Sequence, residues 1–114
     1  MLIRYASAVL NIAGSIALLL GLLFWNGIAL HLTSLHMLLG LLTVAALWVI
    51  ASAHVMIAGG RWHLPACAMI VGLVTIYFGI EQTTLLPGPF HWIIQVIHLI
   101  LGVLTIGLGH MIKK

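Results

Sequence analysis

Charge is what this sequence has least of. Its 114 residues include one acid, Glu81, and four lysines and arginines, so only 4% are charged. A soluble domain carries about 25%. With 64% hydrophobic residues and a mean hydropathy of +1.32, the composition is that of an integral membrane protein. The shortage of cations excludes nucleic acid as a partner, because no basic patch exists to neutralise phosphates. A single cysteine, Cys67, excludes an internal disulfide and reads as a small buried hydrophobe at the start of a third helix. No Ser/His/Asp arrangement, phosphate loop or HExxH zinc spacing is present, and one carboxylate is too few to hold a hard cation.

What is there is long apolar runs. A spanning helix needs roughly 20 predominantly apolar residues, and four such stretches, near 5–25, 34–57, 65–85 and 90–112, nearly exhaust the chain. The expected fold is all-α, an integral membrane four-helix bundle with a lipid bilayer as its surroundings. Within these residues no soluble catalytic domain has room. Ala6-Ser7-Ala8 precedes the first apolar stretch, so that segment reads as a span rather than a cleaved leader. Arg4, Arg61, Lys113 and Lys114 all fall on one side of four spans. The positive-inside rule makes that side cytoplasmic and places both termini there, in a bacterial-type inner (plasma) membrane. Trp25, Trp62 and Trp92 sit near span ends, as interfacial aromatic residues do.

One phrase occurs twice. Residues 36–43 read HMLLGLLT and residues 98–105 read HLILGVLT, each a histidine with glycine at +4 and threonine at +7. Gly14 and Gly21 in helix 1 are matched by Gly72 and Gly79 in helix 3. The chain therefore reads as two tandem helical hairpins, roughly 1–57 and 62–114, with pseudo-two-fold symmetry about an axis along the membrane normal. A largely polar or small stripe recurs at alternating spacings of three and four: Ser7, Asn11, Gly14, Leu18 and Gly21; His36, Gly40, Thr43, Leu47, Ile50 and His54; Ala68, Gly72, Thr75, Gly79 and Gln82; His91, Gln95, His98, Gly102, Thr105 and Gly109. That period is the seam of a left-handed bundle.

Seven histidines stand against one acid. A histidine in a spanning helix is costly and needs a partner. If the repeat sets the register, His36 and His98 lie at one depth on parallel helices 2 and 4, with Gly40 and Gly102 one turn further in and Thr43 and Thr105 beyond them. Two neutral imidazoles suit the axial positions of a haem iron, and the two glycines leave room for its macrocycle. The bland alternative has each imidazole bonding a carbonyl or hydroxyl across the interface. His91, on the same face as His98, is either a replacement ligand or a contact for a haem propionate or quinone at the outer rim. His54 and His110 would supply a second haem, but their levels disagree by about 9 Å at 1.5 Å per residue; interfacial capping or headgroup contact is the other reading. His31 and His63 fall in loops and receive no role. Glu81, near the outer end of helix 3, either accepts a proton or bonds His91, or reaches the interface and does nothing.

These residues, His36 with Gly40, His98 with Gly102, and the glycine pairs on four spans, resemble the four-helix membrane b-type cytochromes of the cytochrome b561 kind. The resemblance implies haem b, iron bound by His36 and His98, and electron transfer with a quinone or a redox partner subunit, either as a carrier or as a quinol or superoxide oxidoreductase. Such families often hold two haems; this chain is shorter, lacks a clean second histidine pair, and has no outer Arg or Lys for the propionates, leaving Thr33, Ser34, His31 and His91 to solvate them. Two other function classes are open. A small proton-coupled transporter would need Glu81 as its membrane carboxylate, and a non-catalytic membrane subunit or homo-oligomer would use the histidines as interhelical glue.

Overall fold

A computed structural model describes residues 2–58 and 62–113. Four helices run in order: α1 Leu2–Trp25, α2 Thr33–Ala58, α3 His63–Ile80 and α4 His91–Lys113, with a short 3-10 turn at Leu30–Leu32 before α2. There is no strand among the described residues. All four helices are long and apolar enough to cross a membrane, so the all-α four-helix bundle expected from the apolar runs is the observed architecture. Arg61 and Lys114, two of the four cations behind the orientation, lie outside the described residues.

The surface suits a lipid bilayer. Leu19, Ile70 and Leu73 are each about 60% exposed, whereas much of the buried core is alanine. Large aliphatics outside and small residues inside suit helices that gain nothing by hiding apolar surface from lipid and associate by close packing instead. Trp25, Trp62 and Trp92 are exposed at helix ends. Cys67 is exposed too, not buried as its residue type suggested. It sits one position off the small-residue stripe of α3, whose neighbour Ala68 takes the interior place.

Helix 3 is shorter than the apolar run implied. It stops at Ile80, and the backbone N–H groups of Thr84 and Leu85 fold back onto the Glu81 carbonyl. The polar run Glu81-Gln82-Thr83-Thr84 with Pro87 and Gly88 behind it favours a turn over helix. The other helix ends lie within three residues of the expected bounds.

Side-chain contacts give the helix directions. Gly21 lies against His36 and Gly14 against Thr43; Gly79 lies against His98, and Thr75 meets Thr105. Each hairpin is therefore antiparallel. Between hairpins, Gly72 meets Trp48 and Gly14 meets Ile106, so α2 runs against α3 and α1 against α4. It follows that α2 and α4 are parallel. These two also touch each other through the centre, while α1 and α3 sit on opposite flanks with no approach among the described residues. The turns of both hairpins share one end of the bundle, called here the hairpin end; both helix-bearing chain ends share the other, the terminal end.

The two ends are filled differently. At the terminal end Ala6, Leu10, Ala46, Leu47, Ile50, Ala51, Ala68 and Ile112 form a closed core, with Trp48, Leu64 and Leu108 packed on it. Toward the hairpin end the interior positions are Gly14, Ala17, Gly21, Gly40, Gly79 and Gly102, and there the bundle encloses a cavity of about 460 Å³. Helices held apart by a packed core at one end cannot collapse onto glycines at the other.

Candidate functional site

The cavity is bounded by all four helices, and the repeated phrase lies on its wall. His36, Gly40 and Thr43 reach it from α2, and His98, Gly102 and Thr105 from α4, joined by His91 and Gln95 near the start of α4. His36, His98, Gly40, Gly102, Thr43, Thr105 and His91, the residues proposed from sequence for a single haem site, therefore line one space.

The two histidines meet across it. Their ring centres are 6.2 Å apart with planes inclined at 70°. Each ring rests against a glycine of its own hairpin: a Cβ on Gly21 would lie 3.3 Å from Cε1 of His36, and one on Gly79 would lie 3.2 Å from Cε1 of His98. Gly21 and Gly79 are repeat equivalents, 58 residues apart, as His36 and His98 are 62 apart. The pseudo-two-fold extends to the packing: Gly14 against Ile106 matches Gly72 against Val44. Phe24 stands edge-on to His36 at 5.2 Å and props it from the hairpin end.

Both rings carry a buried Nδ1 without a hydrogen-bond partner. A buried polar atom left so costs about 1–3 kcal/mol, and here it happens twice within one small space. A hydrogen bond to the Ala17 backbone partners His36 across the α1–α2 interface, as the bland reading requires, but that reading leaves the two Nδ1 atoms unexplained. Two imidazoles bonded from opposite sides to one metal at about 2 Å each have ring centres roughly 6 Å apart, close to the spacing seen. No group of three or more His, Cys, Asp or Glu that could hold a bare ion occurs among the described residues. A metal bridging this pair must therefore bring its other donors with it, as a porphyrin does. Gly40 offers the room: nothing lies within 4 Å of the place its Cβ would take, while Gly102 has Leu18 at 3.5 Å.

The threonines form the floor. Thr43 and Thr105 are buried, and their hydroxyls donate to Leu39 and Leu101 one turn back, at 2.7 and 2.8 Å. Thr105 also lies 3.3 Å from the Thr75 hydroxyl. At the hairpin end His91 pairs its Nδ1 with the Leu85 carbonyl at 3.1 Å, which ties the turn after α3 to the start of α4 and leaves His98, not His91, opposite His36. Thr33 lines the cavity, whereas Ser34 and His31 do not.

Two positions left open by the sequence now have partners. Glu81 neither lines the cavity nor bonds His91; its carboxylate accepts from the Thr84 hydroxyl at 2.7 Å within the turn. Its neighbour Gln82 takes the interior position, with a buried Oε1 that has no partner. Periodicity placed Gln82 on the stripe, but with α3 continuing past it. His110 is the second case. Its Nε2 lies 2.8 Å from Oδ1 of Asn11, and in the repeat it matches Trp48, whose indole N–H donates to the Ala68 carbonyl. His54, six residues further along α2, has no counterpart within the chain. Comparison with protein-family models, curated proteins and solved structures gives no match to this chain.

Proposed function

We propose that this chain is a membrane b-type cytochrome that holds one haem b between His36 and His98 and exchanges single electrons with a membrane quinol or a partner redox protein. The observation that carries the reading is the facing pair of half-buried imidazoles, each with a buried, orphaned Nδ1 atom, in a cavity of small residues. The haem, when bound, supplies a one-electron couple whose potential follows its axial ligands, burial and outer hydrogen bonds. The chain's own residues do the rest. Gly21 and Gly79 fix the ring orientations, and Phe24 limits rotation of His36. Gly40 and Gly102 leave the space, and the packed core at the terminal end keeps it from closing. His91, Gln82, Thr83, Gln95 and Thr33 are polar groups available to the edge at the hairpin end.

The positive-inside rule further supports a bacterial-type plasma membrane location with the terminal end cytoplasmic, which puts the cavity in the outer half. A fluorescent protein fused after Lys114 then fluoresces, and alkaline phosphatase fused there is inactive; the reverse pattern overturns the orientation. A carboxylate-driven transporter finds no support in a Glu81 engaged with Thr84 outside the cavity. A reduced-minus-oxidised spectrum of the purified protein, with pyridine haemochrome quantification, separates these readings. A transporter or a non-catalytic subunit gives no haem bands, and a transporter gives proton-coupled flux lost in Glu81→Gln.

A further inference from the structure

The two seams that join the hairpins are not alike. Along α1–α4, Leu10 lies against Gly109, Gly14 against Ile106 and Leu18 against Gly102, so the seam is closed as far as Leu18, with Leu22 beyond it 45% exposed and also on the cavity wall. Along α2–α3, Trp48 reaches Ala68 and Val44 abuts Gly72. Continuing that antiparallel register toward the hairpin end sets Leu41 opposite Ile76 and Met37 opposite Ile80. Leu41, Met37 and Ile80 are 49%, 46% and 59% exposed, yet all three, with Ile76, also line the cavity. The repeat sharpens the contrast: Leu18 and Gly102 touch, while beside Gly40, the counterpart of Gly102, nothing lies within 4 Å.

Residues that face both lipid and cavity are the rim of an opening. At the end of the bundle Gln82 folds in with its Oε1 buried and His91 is bonded to Leu85, although the exposed Trp25, Thr33 and Thr83 also line the cavity there. Among the described residues no Lys, Arg, Asp or Glu lines the cavity, so none of them selects a charged molecule arriving from water.

We infer that the cavity is loaded sideways from the bilayer, through a portal between the hairpin-end halves of α2 and α3 rimmed by Met37, Leu41, Ile76 and Ile80. The occupant is the flat, largely apolar ring group that His36 and His98 bridge, so the inference rests on the reading of that pair given above. Such a ring partitions into hydrocarbon by its apolar area and passes edge-on between two rows of aliphatic side chains.

The test closes the portal. In a Cys67→Ala background, Leu41→Cys with Ile76→Cys is joined by a short bis-maleimide in haem-depleted protein in lipid nanodiscs, and haemin uptake is followed by its Soret band. Bridging slows uptake about tenfold or more relative to the same pair left unbridged, while bridging Ser52→Cys with Leu64→Cys, at the closed end of the same seam, leaves the rate unchanged. Met37→Cys with Ile80→Cys, one turn away, repeats the measurement should the first pair fold poorly. Uptake by the bridged protein at the unbridged rate overturns the portal and leaves the histidine pair standing. No haem uptake by the wild-type chain overturns both.

Discussion

At the scale of single residues, the pair His36 and His98 was legible because the phrase around each is repeated, and a repeat fixes relative depth without any knowledge of packing. What holds those rings was half legible. Gly21 and Gly79 stood out as a matched pair, but their spacing said only that helices approach closely, whereas each serves as the wall against which an imidazole lies. Gln82 shows the limit in the other direction. Its place depends on α3 stopping at Ile80, and the competition between a polar Thr-Thr turn and a helix is decided by a few tenths of a kcal/mol per residue. A side chain added at Gly79 should press on His98. Gly79→Val is expected to lower haem affinity by about 10–100-fold in a haemin titration, with helical content by circular dichroism unchanged; undiminished affinity contradicts the ring-support role.

At the scale of elements, hydropathy located all four helices and the antiparallel hairpins, since short connections leave neighbouring helices no other arrangement. It said nothing of which seams close. Gly72 belongs to the closed part of α2–α3, where a Cβ would meet Nε1 of Trp48 at 2.5 Å and Cγ1 of Val44 at 2.8 Å. Gly107 has open space around it. Overpacking a filled interface costs typically 1–3 kcal/mol. Thermal unfolding in detergent should therefore show Gly72→Ala destabilised by about that amount and Gly107→Ala unchanged or slightly stabilised by its better helix propensity. Equal effects at the two sites contradict the seam assignment.

At the scale of the whole molecule, the bundle divides into a packed end and a hollow end, and the division follows from residue size along one stripe. Leu10, Leu47, Ile50 and Ile112 fill the terminal end, while glycine, alanine and threonine dominate the interior of the other. The pseudo-two-fold was visible in the histidine and glycine repeats. Its failure at the α2–α3 seam was not, because Ile76 and Leu18 are both ordinary aliphatics and only their packing tells them apart. His110 and His54 likewise could not be sorted by spacing alone; Asn11 takes the first, leaving no matched second pair. The central claim is that two imidazoles, one from each hairpin, hold a single haem. The most direct measurement is haem per chain in the purified wild-type protein beside His36→Ala, His98→Ala, His31→Ala and His63→Ala. The account predicts one low-spin haem in the wild type and in the His31 and His63 variants, and loss of the low-spin spectrum when either His36 or His98 is removed. A full low-spin complement in His36→Ala, or none in the wild type, would contradict it.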